Sequence, residues 1–105
     1  MTTQNKLTTI KQTVQSFLPD ARVLLFGSRA NGNEDAKSDF DILIITKQTY
    51  PPYEKLGWCS KIDKALVKSI QAPVDVLLNS EEEISIKREL PGHIIRWAMK
   101  EGVYL

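Results

Sequence analysis

The stretch ARVLLFGSRANGNEDAKSDFDILIIT, residues 21–46, contains the features that decide the fold. Residues 21–26 form an apolar run that is long enough for a buried strand and too short for a helix. Gly27 ends the run, and the polar residues 28–38 that follow are typical of a turn, or a short helix, leading into a loop. A second apolar run, rich in isoleucine, covers residues 40–46. The stretch therefore predicts two buried strands joined through a glycine turn and a polar loop.

Helical patterns and a third strand surround this stretch. Apolar residues at helical spacing predict a first helix, which Pro19 ends; they are Leu7, Ile10, Val14, Phe17 and Leu18. A second amphipathic helix is predicted over residues 53–71, where Pro73 closes it. Residues 74–78 are again apolar, apart from one acid, and predict a third strand.

The last part of the chain is predicted to be helical. Ser80 and Glu83 match the capping box of a helix that Pro91 and Gly92 interrupt, and a last helix is predicted over residues 92–100. Elements in this order predict the α/β (α+β) class. The expected architecture is a small mixed β-sheet with helices packed mainly on one face and room for one extra edge strand.

Length, charge and cysteine usage exclude several classes of protein. The 105 residues, 11.9 kDa, predict a single domain over residues 1–105. A formal net charge of +1 argues against binding of nucleic acid by bulk charge. With Cys59 as its one cysteine and His93 as its one histidine, the chain can form neither an internal disulfide nor a structural zinc site. It shows neither a signal peptide nor a membrane-spanning run, which predicts no membrane association and a cytoplasmic location.

Three acids occupy positions that composition would not predict. Asp39 and Asp41 flank Phe40 at the start of the isoleucine-rich strand, and Asp75 interrupts the third strand. Residues at i and i+2 of a strand share a face, so the first two carboxylates are expected roughly 6.5 to 7 Å apart. That separation suits two metal ions held about 3.5 to 4 Å apart, and oxygen-only ligands favour Mg²⁺. If the third strand neighbours the second, Asp75 can join the same face.

The glycine turn adds an anion-binding feature upstream of the acids. Gly27 allows a close approach of the backbone, while Ser28 offers a hydroxyl among free backbone N–H donors. Where such a turn opens a helix, the helix N-terminus attracts anions such as phosphate. A phosphate cradle beside a pair of metal-binding acids is suited to the transfer of a nucleotidyl or phosphoryl group.

These residues carry a resemblance to a known family. The segment GSRANG, residues 27–32, followed by SDFD, residues 38–41, resembles the signature of the DNA polymerase beta-type nucleotidyltransferase superfamily, and Asp75 matches its later strand acid. The chain is most similar to the minimal nucleotidyltransferase (MNT) group, and the resemblance covers essentially its whole length. It implies the nucleotidyltransferase, polymerase beta-like palm fold.

The resemblance implies roles for individual residues. Gly27 and Ser28 would bind the β- and γ-phosphates of a nucleoside triphosphate. Asp39 and Asp41 would hold two Mg²⁺ ions, and Asp75 would help to bind the catalytic metal and accept the proton of the attacking hydroxyl. All three acids are thus both catalytic and metal-binding candidates.

Two basic residues and one departure qualify the phosphate site. Arg29 is included among the nucleotide-binding candidates because it is close enough in sequence to reach the triphosphate. For Arg29 and Lys37 alike, a solvated surface position is an equally good explanation. Asn31 stands where the family often has a basic residue, which puts turnover or substrate choice in doubt and leaves the metal site intact.

The resemblance also implies a biological role. Members of the MNT group commonly work beside a helical HEPN-domain protein encoded with them and act as antitoxins, in some cases by adenylylating that partner. The resulting hypothesis is Mg²⁺-dependent transfer of AMP from ATP to a hydroxyl on a HEPN-type partner, with the partner or a homodimer completing the site. Two other functions stay open: a non-catalytic module that neutralises its partner by contact, and the small subunit of a two-part enzyme that modifies a small molecule.

Other residues have ordinary structural interpretations. Asp39 and Asp41 could be loop acids near a strand end, and Ser28 could merely cap a helix. His93 is expected at a surface or capping position, and Cys59 in the core. A base-stacking or partner surface is conceivable for four aromatic residues, although the core is the commoner place for such side chains: Tyr50, Tyr53, Trp58 and Trp97. A solvated face explains three lysines of the second helix: Lys61, Lys64 and Lys68.

Overall fold

A computed structural model describes residues 2–27 and 39–105. Its four helices are α1 (Thr3–Phe17), α2 (Pro52–Ile70), α3 (Glu81–Lys87) and α4 (Ile94–Glu101). Its four strands are β1 (Arg22–Phe26), β2 (Phe40–Thr46), β3 (Val74–Ser80) and β4 (Val103–Tyr104). The predicted helices and strands are present in the predicted order, and β4 is the extra edge strand.

The four strands form one mixed sheet in the order β3-β2-β1-β4. β1 pairs antiparallel with both β2 and β4, whereas β2 and β3 run parallel. The third strand therefore neighbours the second, which was the condition for bringing its acid to the other two. β3 is longer than the predicted 74–78, because its pairing with β2 continues through Asn79 and Ser80.

Helices cover both faces of the sheet, and strand alternation separates two apolar clusters. The long helices α1 and α2 pack on one face around residues such as Ile10, Ile44 and Leu66. The short helices α3 and α4 cover the other face with Ile84 and Ile95. The predicted class, a small mixed sheet with helices mainly on one face, is confirmed, and the two short helices account for the second layer.

Alternation along the strands also fixes the face on which the acids lie. In β2, Leu43 and Ile45 belong to the cluster beneath α3 and α4, and Asp41 shares their face of the strand. In β3, Asp75 shares its face with Leu77, which packs against the same cluster. Both acids thus lie on the side of the short helices, at the end of the sheet where β2 and β3 begin.

A polar network secures the opposite end of β3. The Ser80 hydroxyl is fully buried, accepts hydrogen bonds from the Glu83 backbone N–H (3.1 Å) and from Thr49 Oγ1 (2.6 Å), and forms the predicted capping box of α3. Glu83 also accepts a hydrogen bond from Lys55 of α2 in a mostly buried ion pair. These bonds tie α2, α3 and the segment after β2 to the end of β3.

Aromatic residues divide between the core and the surface. Tyr50 and Trp58 pack against the α1 and α2 cluster, as does the half-buried Cys59, so the core expectation is confirmed for these three. It is wrong for Tyr53 and Trp97, which are 87% and 45% exposed. Lys61, Lys64 and Lys68 of α2 are exposed, as a solvated face requires. No helix in the described residues is both long and apolar enough to cross a membrane.

Candidate active site

Gly27 ends β1 in a conformation that side chains disfavour. Its φ is +76°, in the left-handed region. A Cβ at this position would also collide with Oδ2 of Asp41. Glycine is therefore required here for its backbone angle and for the space that its missing side chain leaves to the carboxylate.

The structure brings Asp41 and Asp75 together. The two residues are direct partners in the parallel register of β2 and β3, and their carboxyl groups share a hydrogen bond. The start of β2 is fixed by a hydrogen bond of 3.1 Å from the Phe40 N–H to the Pro73 carbonyl oxygen. Pairing across strands thus places two like charges side by side at one end of the sheet.

Electrostatics at the pair favour a shared proton or a cation. The pKa of Asp41 is raised from 3.8 to about 6, chiefly by desolvation on burial and in addition by the charge and hydrogen bond of Asp75. The charge of Asp39 raises the pKa of Asp41 further. A divalent cation would remove the repulsion, so the oxygen-only donor set fits Mg²⁺.

The structure brings some of the predicted site residues together, while others lie outside the residues that it describes. Gly27, Asp41 and Asp75 are in one place, and the exposed Asp39 lies immediately before β2, where its charge acts on Asp41. Ser28 and the other candidates of the phosphate loop lie outside the described residues; they are Arg29, Asn31 and Lys37. Within residues 2–27 and 39–105, no set of three His, Cys, Asp or Glu side chains is arranged to hold a metal ion. The three-acid metal site and the roles of its residues therefore stay predictions.

The sequence matches the nucleotidyltransferase domain family over residues 7–105, nearly the whole chain. The chain belongs to the nucleotidyltransferase domain family. The predicted family is thereby confirmed, and the acid pair beside the glycine turn lies within the matched region. Among curated proteins, none matches the sequence.

Solved structures show the same fold as this nucleotidyltransferase domain. A toxin–antitoxin with AMP-PNP has a TM-score of 0.65 at 17% identity, over 98% of this chain and 72% of that one. A protein named as a minimal nucleotidyltransferase has a TM-score of 0.63 at 21% identity, over 96% and 94% of the two chains. A tri-AMPylated HEPN toxin of Shewanella oneidensis in complex with an MNT antitoxin gives 0.60 at 14% identity, over 96% and 69%. At these identities the likeness establishes the fold.

The structure confirms one expectation for α4 and contradicts another. His93 caps α4, as expected, by accepting a hydrogen bond of 3.0 Å at Nδ1 from the Ile95 N–H. Trp97, expected in the core, is half-exposed and packs edge-on against Phe26 at the end of β1. The signal was present in the helical spacing, since Ile95 and Ala98 form the buried stripe of α4 and Trp97 lies off it.

Gly27→Ala is expected to destabilise the domain by roughly 1 to 2 kcal/mol, because a left-handed alanine is strained, and to displace the Asp41 carboxylate. Gly57 in α2 is the matched control, since nothing lies within 4 Å of a Cβ added there. Gly57→Ala should stabilise the domain by roughly 0.5 to 1 kcal/mol. Urea unfolding measures both changes. Equal effects of the two substitutions would contradict the role assigned to Gly27.

The stability of the metal-free domain is expected to depend on the protonation of Asp41. Because its folded-state pKa is raised, its contribution to stability is complete below about pH 3.8 and is lost as the pH rises through about 6. In the presence of a chelator, the melting temperature of the wild type relative to that of Asp41→Asn should therefore decrease as the pH is raised from 4 to 7. The difference between the two proteins cancels the titration of other groups. Parallel melting curves across this range would contradict the assignment.

Proposed function

We propose that this nucleotidyltransferase domain transfers AMP from ATP to a hydroxyl group on a helical HEPN-type partner protein and so acts as its antitoxin. One observation carries the proposal. Asp41 and Asp75 are paired across parallel strands beside a glycine whose missing side chain leaves room for the Asp41 carboxylate. A structural role does not explain two contacting carboxyl groups, since their repulsion opposes folding.

The acids fit a magnesium site. Asp41 and Asp75 would hold Mg²⁺, with Asp39 as the further carboxylate that the family signature supplies. When bound there, Mg²⁺ neutralises phosphate charge and stabilises the negative charge that develops on the leaving pyrophosphate.

The other steps, phosphate binding and proton transfer, would be carried out by side chains and backbone groups of the protein. The turn that begins at Gly27 would receive the β- and γ-phosphates, with the Ser28 hydroxyl as a donor and Arg29 as a counter-charge. The acceptor oxygen forms a bond to the α-phosphorus as the bond from that phosphorus to the β-phosphate bridging oxygen breaks, and pyrophosphate leaves. Asp75, exposed at the edge strand, would accept the proton of the acceptor hydroxyl.

The choice of ATP and of a HEPN partner rests on the structural neighbours. One is a toxin–antitoxin with AMP-PNP, and another contains a tri-AMPylated HEPN toxin together with an MNT antitoxin. The same proposal keeps a single domain over residues 1–105 and a cytoplasmic location. It leaves completion of the site to the partner, with a homodimer as the alternative.

The proposal is tested by purifying the chain with the protein encoded beside its gene and supplying Mg²⁺ and ATP labelled at the α-phosphate. We expect label and the mass of one or more AMP units on the partner, with release of pyrophosphate. Asp41→Ala and Asp75→Ala should each abolish transfer, because each leaves one carboxylate of the pair.

Asp20→Ala is the matched control, since Asp20 is an exposed acid in the turn before β1, away from the pair. This variant should transfer AMP at the wild-type rate. If the Asp41→Ala and Asp75→Ala variants still neutralise a toxic partner in cells, neutralisation occurs by contact and the catalytic proposal is wrong. Label on a small molecule instead of the partner would favour the two-part enzyme.

A further inference from the structure

A cavity of about 480 Å³ lies along the exposed side of α4. Its size is within the range of roughly 300 to 1,000 Å³ that is usual for small-molecule sites. The residues that line it are Gly92, His93, Ile94, Arg96, Trp97 and Lys100. No role in transfer has been assigned to any of these side chains.

One aromatic contact connects the lining of the cavity to the end of β1, beside the acid pair. The rings of Trp97 and Phe26 meet edge to face, with centroids 5.5 Å apart and an interplanar angle of 87°. Phe26 is the register partner of Asp41 and directly precedes Gly27. A ligand seated at the acids and the glycine turn could therefore extend along α4 and reach the indole of Trp97.

The composition of the cavity suits an anionic ligand with an aromatic group. Trp97 and Ile94 are each 45% exposed and provide apolar surface. Arg96 and Lys100 add positive charge, and no Asp or Glu within the described residues lines the cavity. Since Nδ1 of His93 accepts a hydrogen bond from the Ile95 N–H, its neutral imidazole carries the proton on Nε2 and can donate to the ligand.

We propose that Trp97 is the platform on which the base of the donor nucleotide stacks, with Arg96 and Lys100 flanking the base and its sugar-phosphate. This inference rests on the proposed function and extends it, because it assigns the base to α4 and the triphosphate to the glycine turn and the acids. Stacking on an aromatic ring tolerates any base, since every base presents a π-face. Trp97 therefore contributes affinity for nucleotides over phosphate alone, with little preference for one base.

The first test uses fluorescence in a Trp58→Phe background, where Trp97 is the one remaining tryptophan. Trp58 lies on α2 and packs against the opposite core, so this substitution leaves the cavity unchanged. With Mg²⁺ present, ATP and GTP should both quench the Trp97 emission. Inorganic tripolyphosphate, which has the phosphates and no base, should bind without quenching.

The second test measures affinities by calorimetry for Trp97→Ala. We expect its dissociation constant for ATP to rise roughly 5- to 150-fold, with the constant for tripolyphosphate unchanged. Trp97→Phe should restore part of the ATP affinity because it restores a stacking ring. Trp58→Ala, which removes a tryptophan remote from the cavity, should leave both constants at the wild-type value.

The outcomes separate this inference from the proposed function. If Trp97→Ala binds ATP as tightly as the wild type, Trp97 is not the platform, while the proposed function stands. If the affinities of Trp97→Ala for ATP and for tripolyphosphate fall equally, Trp97 supports the fold of the phosphate site and the inference is overturned. If neither ligand binds the wild-type protein with Mg²⁺, whether the chain is alone or in complex with its partner, both the inference and the proposed function are wrong.

Discussion

The parallel register of β2 and β3 sets Asp41 directly beside Asp75, and the rest of the site depends on this constraint. Desolvation by burial is the largest cause that raises the pKa of Asp41 to about 6, and the charge of the neighbouring Asp75 acts in the same direction. The repulsion between the two carboxylates destabilises the folded domain until a cation or a proton neutralises it. A strained pair of this kind at the end of a sheet is typical of a functional site.

The packing of the buried core stabilises the domain and offsets the repulsion between the two carboxylates. The interior of β2 is apolar on both faces, so helices on both sides hold the strand that carries Asp41. Ser80 and the ion pair between Lys55 and Glu83 anchor the far end of β3. Because successive side chains of a strand point to opposite faces of the sheet, a register slip of one residue would turn Asp75 to the other face and separate the pair.

The glycine turn and the aromatic contact place ligand-binding features around the same pair. The missing side chain of Gly27 leaves room for the Asp41 carboxylate, and Phe26 connects the end of β1 to Trp97. The acids, the turn and the exposed side of α4 thus lie around one end of the sheet. Such an arrangement can receive the metal-bound phosphates and the base of one nucleotide at separate points.

Much of this arrangement could be predicted from the sequence. The apolar run at residues 40–46 has the bounds of β2, and the order of glycine turn, paired acids and strand acid indicated the family. The contact of Asp41 with Asp75 could not be predicted, because local pattern fixes the face of a residue on its own strand and leaves strand order and register open. The exposure of Trp97 was missed for a different reason: the helical spacing of Ile95 and Ala98 indicated it, but residue type was given more weight than this pattern.

The central claim is that the acid pair and the glycine turn form a magnesium–nucleotide site. Its most direct test is thermal unfolding of the isolated chain with Mg²⁺, with ATP and with both, in the wild type and in the double variant Asp41→Ala/Asp75→Ala. At 100 times its dissociation constant a ligand adds about 2.7 kcal/mol of stability, and each kcal/mol shifts the melting temperature of a domain this size by roughly 4 to 8 °C. The account predicts a shift of the wild type that requires both ligands and is absent from the variant. An equal shift in the variant, or no shift of the wild type at millimolar ATP and Mg²⁺ either alone or with the partner present, would contradict it.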